Sequence, residues 1–412
     1  MNRGRKSLAG AVVVHLRLFS FCLLTVFVIN RIQASDYQFR RPIQFSGHRI
    51  YNPYTVLPDS WGKANFHAHA RAYGGFTNGK QAGSAVVDAY LEAGYTIAGV
   101  SDYFRVNPDI HRRGNLAVTV FEHGLNPIKA HQLVIGSQEA VFEDILLFQN
   151  DHTRQFVLDR LARLNAFVCI AHPRNRNGYP ASSLKRLTGF HAIEVFNGPH
   201  RALAHWDSAL SAGQPVWAMA NDDVHDIHEA RFGRSFNLLP RHIGSSSEVV
   251  DVLRDGAFVA VHRRSDVLGG DSIPPLPVRV FISDSSVRIS FDRPFRESRV
   301  VGQGGKVKFV FRDEREIFFY FGQSDTYLRV EVEAPGITAY LNPFFRTEVA
   351  SVVSGTAANP IDDHATSQSR ALLFCLWVLL SLLLLPCPPD AHALGNSFLQ
   401  YLLGSIYRFQ RT

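Results

Sequence analysis

Apolar residues along this chain fall into two textures. From about residue 60 to 265, short apolar runs alternate with stretches of helical period; beyond 274, apolar and polar residues alternate at period two. The first texture predicts strands over 63–70, 95–101, 133–136, 166–171, 192–196, 215–220, 235–239 and 257–261. Helices are predicted over 81–93, 155–164, 202–211 and 248–254, and 102–132 reads mainly as a long irregular stretch. Strands alternating with helices imply a mostly parallel sheet. Seven or so strands without a Rossmann glycine fingerprint favour a barrel over an open sheet. The second texture predicts strands over 278–282, 286–291, 306–311, 316–321 and 327–332, separated by turn residues with no helix between them. That is the pattern of a small all-β sandwich.

Two longer apolar runs flank this body. At the N-terminus Arg3, Arg5 and Lys6 precede the run 18–29, and Ile32-Gln33-Ala34 offers an exit of the signal-peptidase type. His15 and Arg17 interrupt a longer span from Ala11, which favours cleavage after Ala34 over an uncleaved signal anchor. Near the C-terminus, 371–385 is apolar without a polar face. Fifteen residues of helix rise about 22 Å, short of a hydrocarbon core of about 30 Å, yet the run reads as a membrane anchor. Arg408 and Arg411 beyond it then belong on the cytoplasmic side. The expected organisation is a signal peptide (1–34), an extension (35–62), a barrel (63–266), a sandwich (274–348), a linker (349–370), an anchor (371–386) and a tail (387–412). The body is thus expected to be exported to the periplasmic or extracellular side and tethered to the membrane.

Composition changes this picture little. With 46% apolar and 19% charged residues the chain is globular. The formal charge of +7 shrinks to about +2 once the five basic residues of 1–34 are set aside. So small a net charge does not imply a nucleic-acid partner. Of four cysteines only Cys169 lies in the body, inside an apolar run, where it reads as a small core residue. Histidine is different: of 18, 13 fall between His67 and His242, and none between 263 and 350.

These histidines locate the candidate chemistry. His67-Ala-His69 closes the first predicted strand, and period two turns both imidazoles to one side. Glu139 follows the strand 133–136, His172 the strand 166–171, and Asp223-Val-His225 the strand 215–220. Asp222, one residue out of phase, points to the opposite face. In a parallel barrel all strand C-termini open on one face, so His67, His69, Glu139, His172, Asp223 and His225 would converge there. Imidazole with carboxylate suits Zn²⁺, Mn²⁺ or Fe²⁺, and six ligands exceed what one tetrahedral ion needs, so two divalent ions are expected. His123 and His131 are further ligand candidates from the irregular stretch. Arg71, Lys80 and Arg174, just after strands or ligands, are candidates for holding a substrate phosphate.

In order, Asn65-Phe-His-Ala-His69, Gly99-Val-Ser-Asp102, Gly136-Ser-Gln-Glu139, Ala171-His-Pro173 and the Ala220 to His225 stretch resemble the motifs of the PHP (polymerase and histidinol phosphatase) family, and Ile193-Glu-Val-Phe-Asn197 its strand before the last ligand pair. The matches span about half the chain. The resemblance implies a distorted (β/α)7 barrel and a metal-dependent phosphoesterase using a water activated by two metals, acting on a small or polymeric phosphoester. Two positions depart from the family: Tyr103 stands where a ligand histidine is usual, and Asn78 where an aspartate is usual. Both lost groups help fill a three-metal site, so fewer than three ions are expected. The same departures motivate one rival, a metal-binding module without turnover. A second rival is an amidohydrolase-type enzyme, which would use similar ligands in a similar barrel.

Overall fold

A computed structural model describes residues 2–264, 273–283, 285–348 and 358–384, with side chains from residue 12 onward. The expected tail 387–412, residues 385–386 of the anchor and much of the linker lie outside the described residues. Contacts divide the described chain into two compact units. One runs from Tyr37 to Pro360, and the other joins the two chain ends, up to Asp36 and from Ile361.

The body is mixed α/β and contains several sheets. Its first step is a β-α-β crossover: Trp61–Asn65, the helix Gly83–Glu92, and Tyr95–Ala98, the two strands pairing in parallel. Val120–His123 and His131–Ile135 then form an antiparallel hairpin that opens a six-stranded sheet. His131–Ile135 pairs antiparallel with Phe167–Ala171, which pairs in parallel with Ala192–Asn197, and that strand in parallel with Trp217–Asn221. These strands are buried at every position, which explains runs such as Phe-Val-Cys-Ile-Ala that lack a polar phase. Cys169 is among the buried residues. Three named strand pairs are parallel and the others antiparallel among the described residues, so the mostly parallel sheet expected from sequence is corrected. One source is 102–132, where the stretch read as irregular contributes a hairpin strand; another is Ser235–Pro240, which is antiparallel to both its neighbours.

The other large sheet has nine strands. It runs from Tyr95–Ala98 and Trp61–Asn65 through Ser235–Pro240 and Val259–Arg263 to Ile337–Thr347, Tyr327–Ala334, Glu297–Gly302 and Lys306–Arg312. Arg49–Tyr51 pairs with the same Ile337–Thr347 strand. The sequence expects a separate sandwich after 274, but its strands continue this sheet through the ladder Val259↔Leu341, Val261↔Ala339. A three-stranded sheet (Pro277–Ile282, Ser286–Phe291, Glu316–Tyr320) covers one part of it. Val287, Ile289, Phe291, Ile317 and Phe319 share one core with Val300, Leu328, Val330 and Ala339. A buried ion pair joins the halves. Arg329 donates to Asp207, on the helix Leu203–Ser211, through Nε to Oδ1 (2.7 Å) and Nη2 to Oδ2 (2.9 Å), with Trp206 under its guanidinium.

In the chain-end unit the helices Asn2–Ile32 and Asp363–Leu384 lie together. Val12–Ile32 and Asp363–Leu384 are both long and apolar enough to cross a membrane. The second helix starts eight residues before the apolar run, and its 22 residues rise about 33 Å. Trp377 donates from Nε1 to Thr25 Oγ1 (3.0 Å), and Arg370 from Nε to the Ile32 carbonyl (2.9 Å).

Candidate metal centre

The chain beyond Trp61–Asn65 stays extended through His67-Ala-His69 and meets Asp223-Val-His225 in parallel. His69 N–H donates to the Val224 carbonyl and Asp223 N–H to the His67 carbonyl, both at 2.9 Å, around an Ala68↔Val224 bridge. Period two then sorts the side chains: Ala68 and Val224 enter the core, while His67, His69, Asp223 and His225 turn to the other side. Asp223 Oδ1 lies 3.2 Å from His67 Nε2 and 3.4 Å from Nε2 of both His69 and His225. His69 also stacks with His225, ring centroids 4.3 Å apart.

Glu122 closes the cluster from the opposite sheet. Its strand, Val120–His123, alternates, so Glu122 faces the histidines and His123 faces away. His123 instead contacts Gln132 Oε1 (2.7 Å) and the Glu143 carbonyl (3.1 Å). Glu122 Oε1 lies 2.6 Å from His131 Nδ1 and 3.0 Å from His172 Nε2; Oε2 lies 3.1 Å from His69 Nε2 and 3.5 Å from His67 Nε2. His131 and His172 are neighbours because His131 pairs with Ala171, the residue before His172. The result is four overlapping sets of three donors: His67/His172/Asp223, His67/His69/Glu122, His69/Asp223/His225 and Glu122/His131/His172. Within each set the donor atoms lie within 4.8 Å of one another. Glu122 and Asp223 each belong to two sets.

These groups can hold a metal ion. Nε2 of His67, His69 and His131, Nδ1 of His172 and His225, and Oε2 of Glu122 are buried without a hydrogen-bond partner. So many buried orphans in one place is costly in an ordinary core, and three of them, Nε2 of His67 and His69 and Oε2 of Glu122, face one another as ligands of a cation would. Two of the donors also sit on strained backbone, with φ of +51° at Asp223 and +28° at His172. For residues with a Cβ that region costs on the order of 1–3 kcal/mol and clusters at functional sites.

Supporting groups fix the donors. Glu194 Oε1 lies 3.0 Å from His67 Nδ1, which holds the proton there and leaves Nε2 for a ligand. Its Oε2 accepts the His172 backbone N–H (2.9 Å), while Asn197 and Asn221 donate to its two oxygens (2.8 Å each). Asp222 faces the other way, as its phase requires. It accepts from Tyr90 Oη, Asn65 Nδ2 and the backbone N–H groups of Gly233, Arg234 and Ser235. Burial raises its pKa to about 6 despite these donors.

Charges within the cluster compensate one another. Burial opposes protonation of His67, but Asp223, Glu194 and Glu122 outweigh it and hold its pKa well above the usual imidazole value. Burial likewise opposes ionisation of Glu122 and Asp223, yet the surrounding histidines hold both well below the usual carboxylate range. Such a cluster favours ionised carboxylates, the form a cation binds.

The structure brings together five of the six expected donors: His67, His69, His172, Asp223 and His225. Glu139 is not among them. It is exposed, and its backbone N–H and carbonyl bond the Ser137 hydroxyl. Glu122 supplies the carboxylate instead, because the strand that carries it falls inside the stretch read as irregular. Of the further candidates His131 joins the cluster and His123 does not. Tyr103 stacks on His69 (4.8 Å) and bridges Glu122 through its backbone, so it walls the site. Asn78 is exposed. So are Arg71, whose guanidinium bonds the Lys80 carbonyl, Lys80, whose N–H bonds the His225 carbonyl, and Arg174. Glu194, Asn197 and Asn221 stand inside the stretches compared with the family, but sequence reasoning gave them no role. The run Val-Thr-Val-Phe-Glu-His at 118–123, β-branched and alternating, was the signal available for Glu122. Neither a protein-family model nor a curated protein matches this chain.

Proposed function

We propose that this protein is a metal-dependent hydrolase of phosphoesters. The observation that carries the reading is the sharing of Glu122 and Asp223, each common to two of the four sets of clustered donors. A carboxylate with two such sets around it suits two divalent ions, of which Zn²⁺, Mn²⁺ and Fe²⁺ fit the mixed nitrogen and oxygen donors. When bound, such ions lower the pKa of water towards neutrality and polarise a phosphoryl oxygen. The chain's own residues do the rest. Glu194 keeps the His67 proton on Nδ1, Asn197 and Asn221 hold Glu194, and Tyr103 screens His69 from water on one face.

The reading extends to fold and place. We take the two sheets around the site as a distorted (β/α)7 barrel of PHP type. The order of the motifs supports this, as do the parallel bridges Ala68↔Val224 and Tyr103↔Glu122 at the strand ends. The protein would be exported and tethered to a membrane by its apolar ends. The Trp377–Thr25 hydrogen bond favours retention of the N-terminal helix as a second span, which reverses the sequence preference for cleavage after Ala34.

The test uses the full-length protein in detergent. Bound metal is measured by mass spectrometry, and hydrolysis with an aryl phosphate and an aryl diester, in wild type and His67→Ala. Metal near two ions per chain with turnover that His67→Ala removes is the expected result. Bound metal without turnover of either ester would establish a binding module; cleavage of an anilide alone would establish an amidohydrolase. Mass analysis of the intact chain finds residues 1–34 if the first helix is retained.

A further inference from the structure

Beside the metal centre lies a cleft of about 490 Å³ lined by Arg201, Arg231, Arg234, Arg263 and Arg264, with Glu229 as its acid. It shares Arg201, His262 and Arg264 with an adjoining cleft of about 510 Å³ that adds Arg299 and Glu333. The arginines come from separate elements: the short strand His200–Arg201, the loop after His225, the end of Val259–Arg263, and Glu297–Gly302. Arg231 pairs with Glu229, and Arg299 with Glu297. Arg201, Arg234 and Arg263 have no carboxylate within ion-pair distance among the described residues. Arg231, Arg234 and Arg263 are half-buried, whereas Arg201 and Arg299 are exposed. Like charges gathered in a concave wall focus a positive field, and planar guanidinium groups match phosphate oxygens in pairs.

Two independent features support a built site. His262 on its floor stacks on Phe196 (4.4 Å), and burial together with Arg201 and Arg234 lowers its pKa to about 4. Burial is the larger cause, and a neutral imidazole on the floor leaves the positive charge of the wall to the arginines. Gly198, at φ +48°, lines the cleft, and a Cβ there would stand 2.9 Å from Arg231 Nη1. The missing side chain is where Arg231 lies.

The cleft is coupled to the metal centre through two short connections. Gly198 follows Asn197, which bonds Glu194 behind His67. Glu229 accepts the His225 and Asp226 backbone N–H groups (3.0 Å each) and pairs with Arg231.

We propose that this cleft binds a phosphate group of the substrate other than the one cleaved, so that the substrate class is a compound carrying two or more separated phosphates. The substrate half of this inference rests on the phosphoesterase reading; the anion site itself does not.

The experiment separates the two. Pyrophosphate is titrated by calorimetry into the metal-free, full-length protein in detergent at constant ionic strength. Saturable binding is expected, unchanged in His67→Ala and weakened about tenfold or more in Arg234→Gln/Arg263→Gln. Arg201→Gln/Arg299→Gln, on the exposed rim, probes the same cleft without disturbing half-buried groups. No saturable binding, or wild-type affinity in both double variants, overturns the site. With metal restored, a sugar bisphosphate is compared with the corresponding monophosphate. The double variants should raise KM about tenfold for the bisphosphate alone and leave kcat and the monophosphate KM unchanged. Equal effects on both substrates would overturn the substrate assignment and leave a site for free phosphate. Pyrophosphate binding with no turnover of any ester would retain the site and remove the hydrolase reading.

Discussion

The metal centre and the arginine cleft are neighbours that handle charge in opposite ways. In the first, three carboxylates face five imidazoles at 2.6–3.5 Å, largely buried, and each sign lowers the cost of the other. In the second, guanidinium groups face one another with few acids, and the wall stays open to solvent. The difference follows from desolvation. Ions can be enclosed when opposite partners lie within hydrogen-bonding range, whereas uncompensated ones need water or a ligand of the other sign. Arg329 shows the first rule applied to an arginine: paired with Asp207 and Glu331, it is 2% exposed.

The largest expected effect breaks the enclosed region. Glu122→Gln removes the carboxylate common to two donor sets and should abolish stoichiometric metal, read by mass spectrometry, while Glu139→Gln leaves metal content unchanged. If Glu139→Gln instead loses the metal, the cluster is misassigned. Next, Asp207→Ala should strand a buried guanidinium and cost about 3–5 kcal/mol in urea unfolding. The equivalent loss for any one cleft arginine should stay within about 0.5 kcal/mol. Glu194→Gln keeps every donor but loosens His67, so metal affinity against a chelator should fall about 10- to 100-fold. The smallest effect concerns His262. Arg234→Gln removes a positive neighbour and should raise its pKa by about half a pH unit, followed by imidazole NMR. His191, which burial and Arg254 lower to about 4, should not move. For His262 the folded-state value lies below the ordinary one near 6.5. Its neutral form therefore adds stability above that pH, and the contribution is lost as pH falls towards 4, so the variant should lose less on acidification.

Which of these regions could be read in the sequence follows from how each is assembled. His67-Ala-His69 and Asp223-Val-His225 are local patterns at strand ends, so their i, i+2 spacing was enough to turn the side chains together, although it gave no sign of the left-handed backbone at Asp223. His172 followed a strand that was apolar at every position. Glu122 was hidden because its strand is short and sits in a hairpin within a segment taken as irregular. Glu194 lies inside a buried strand as an acid among apolar residues, where spacing says nothing about what it orients. The cleft is less legible still. Arg201, Arg234, Arg263 and Arg299 are scattered over about a hundred residues, and the body's small net charge averages them against acids elsewhere. The expected sandwich was legible as alternation, but the pairing that ties it to the first half depends on Ile337–Thr347, for which no strand was predicted.

That last strand has a consequence for how the molecule comes into being. Ile337–Thr347 sits inside the nine-stranded sheet, paired with Val259–Arg263 on one side and Tyr327–Ala334 on the other, and Arg49–Tyr51 pairs with its far end. Its register with Arg49 joins positions nearly three hundred residues apart, Arg49↔Thr347. Until residue 347 has left the ribosome, Val259–Arg263 is an unpaired edge and the beginning of the body has nothing to pair with. Completion of this sheet therefore waits until late in biosynthesis and rests on distant contacts. A chain stopped near residue 266 would carry every metal donor and still lack the strand that completes its sheet.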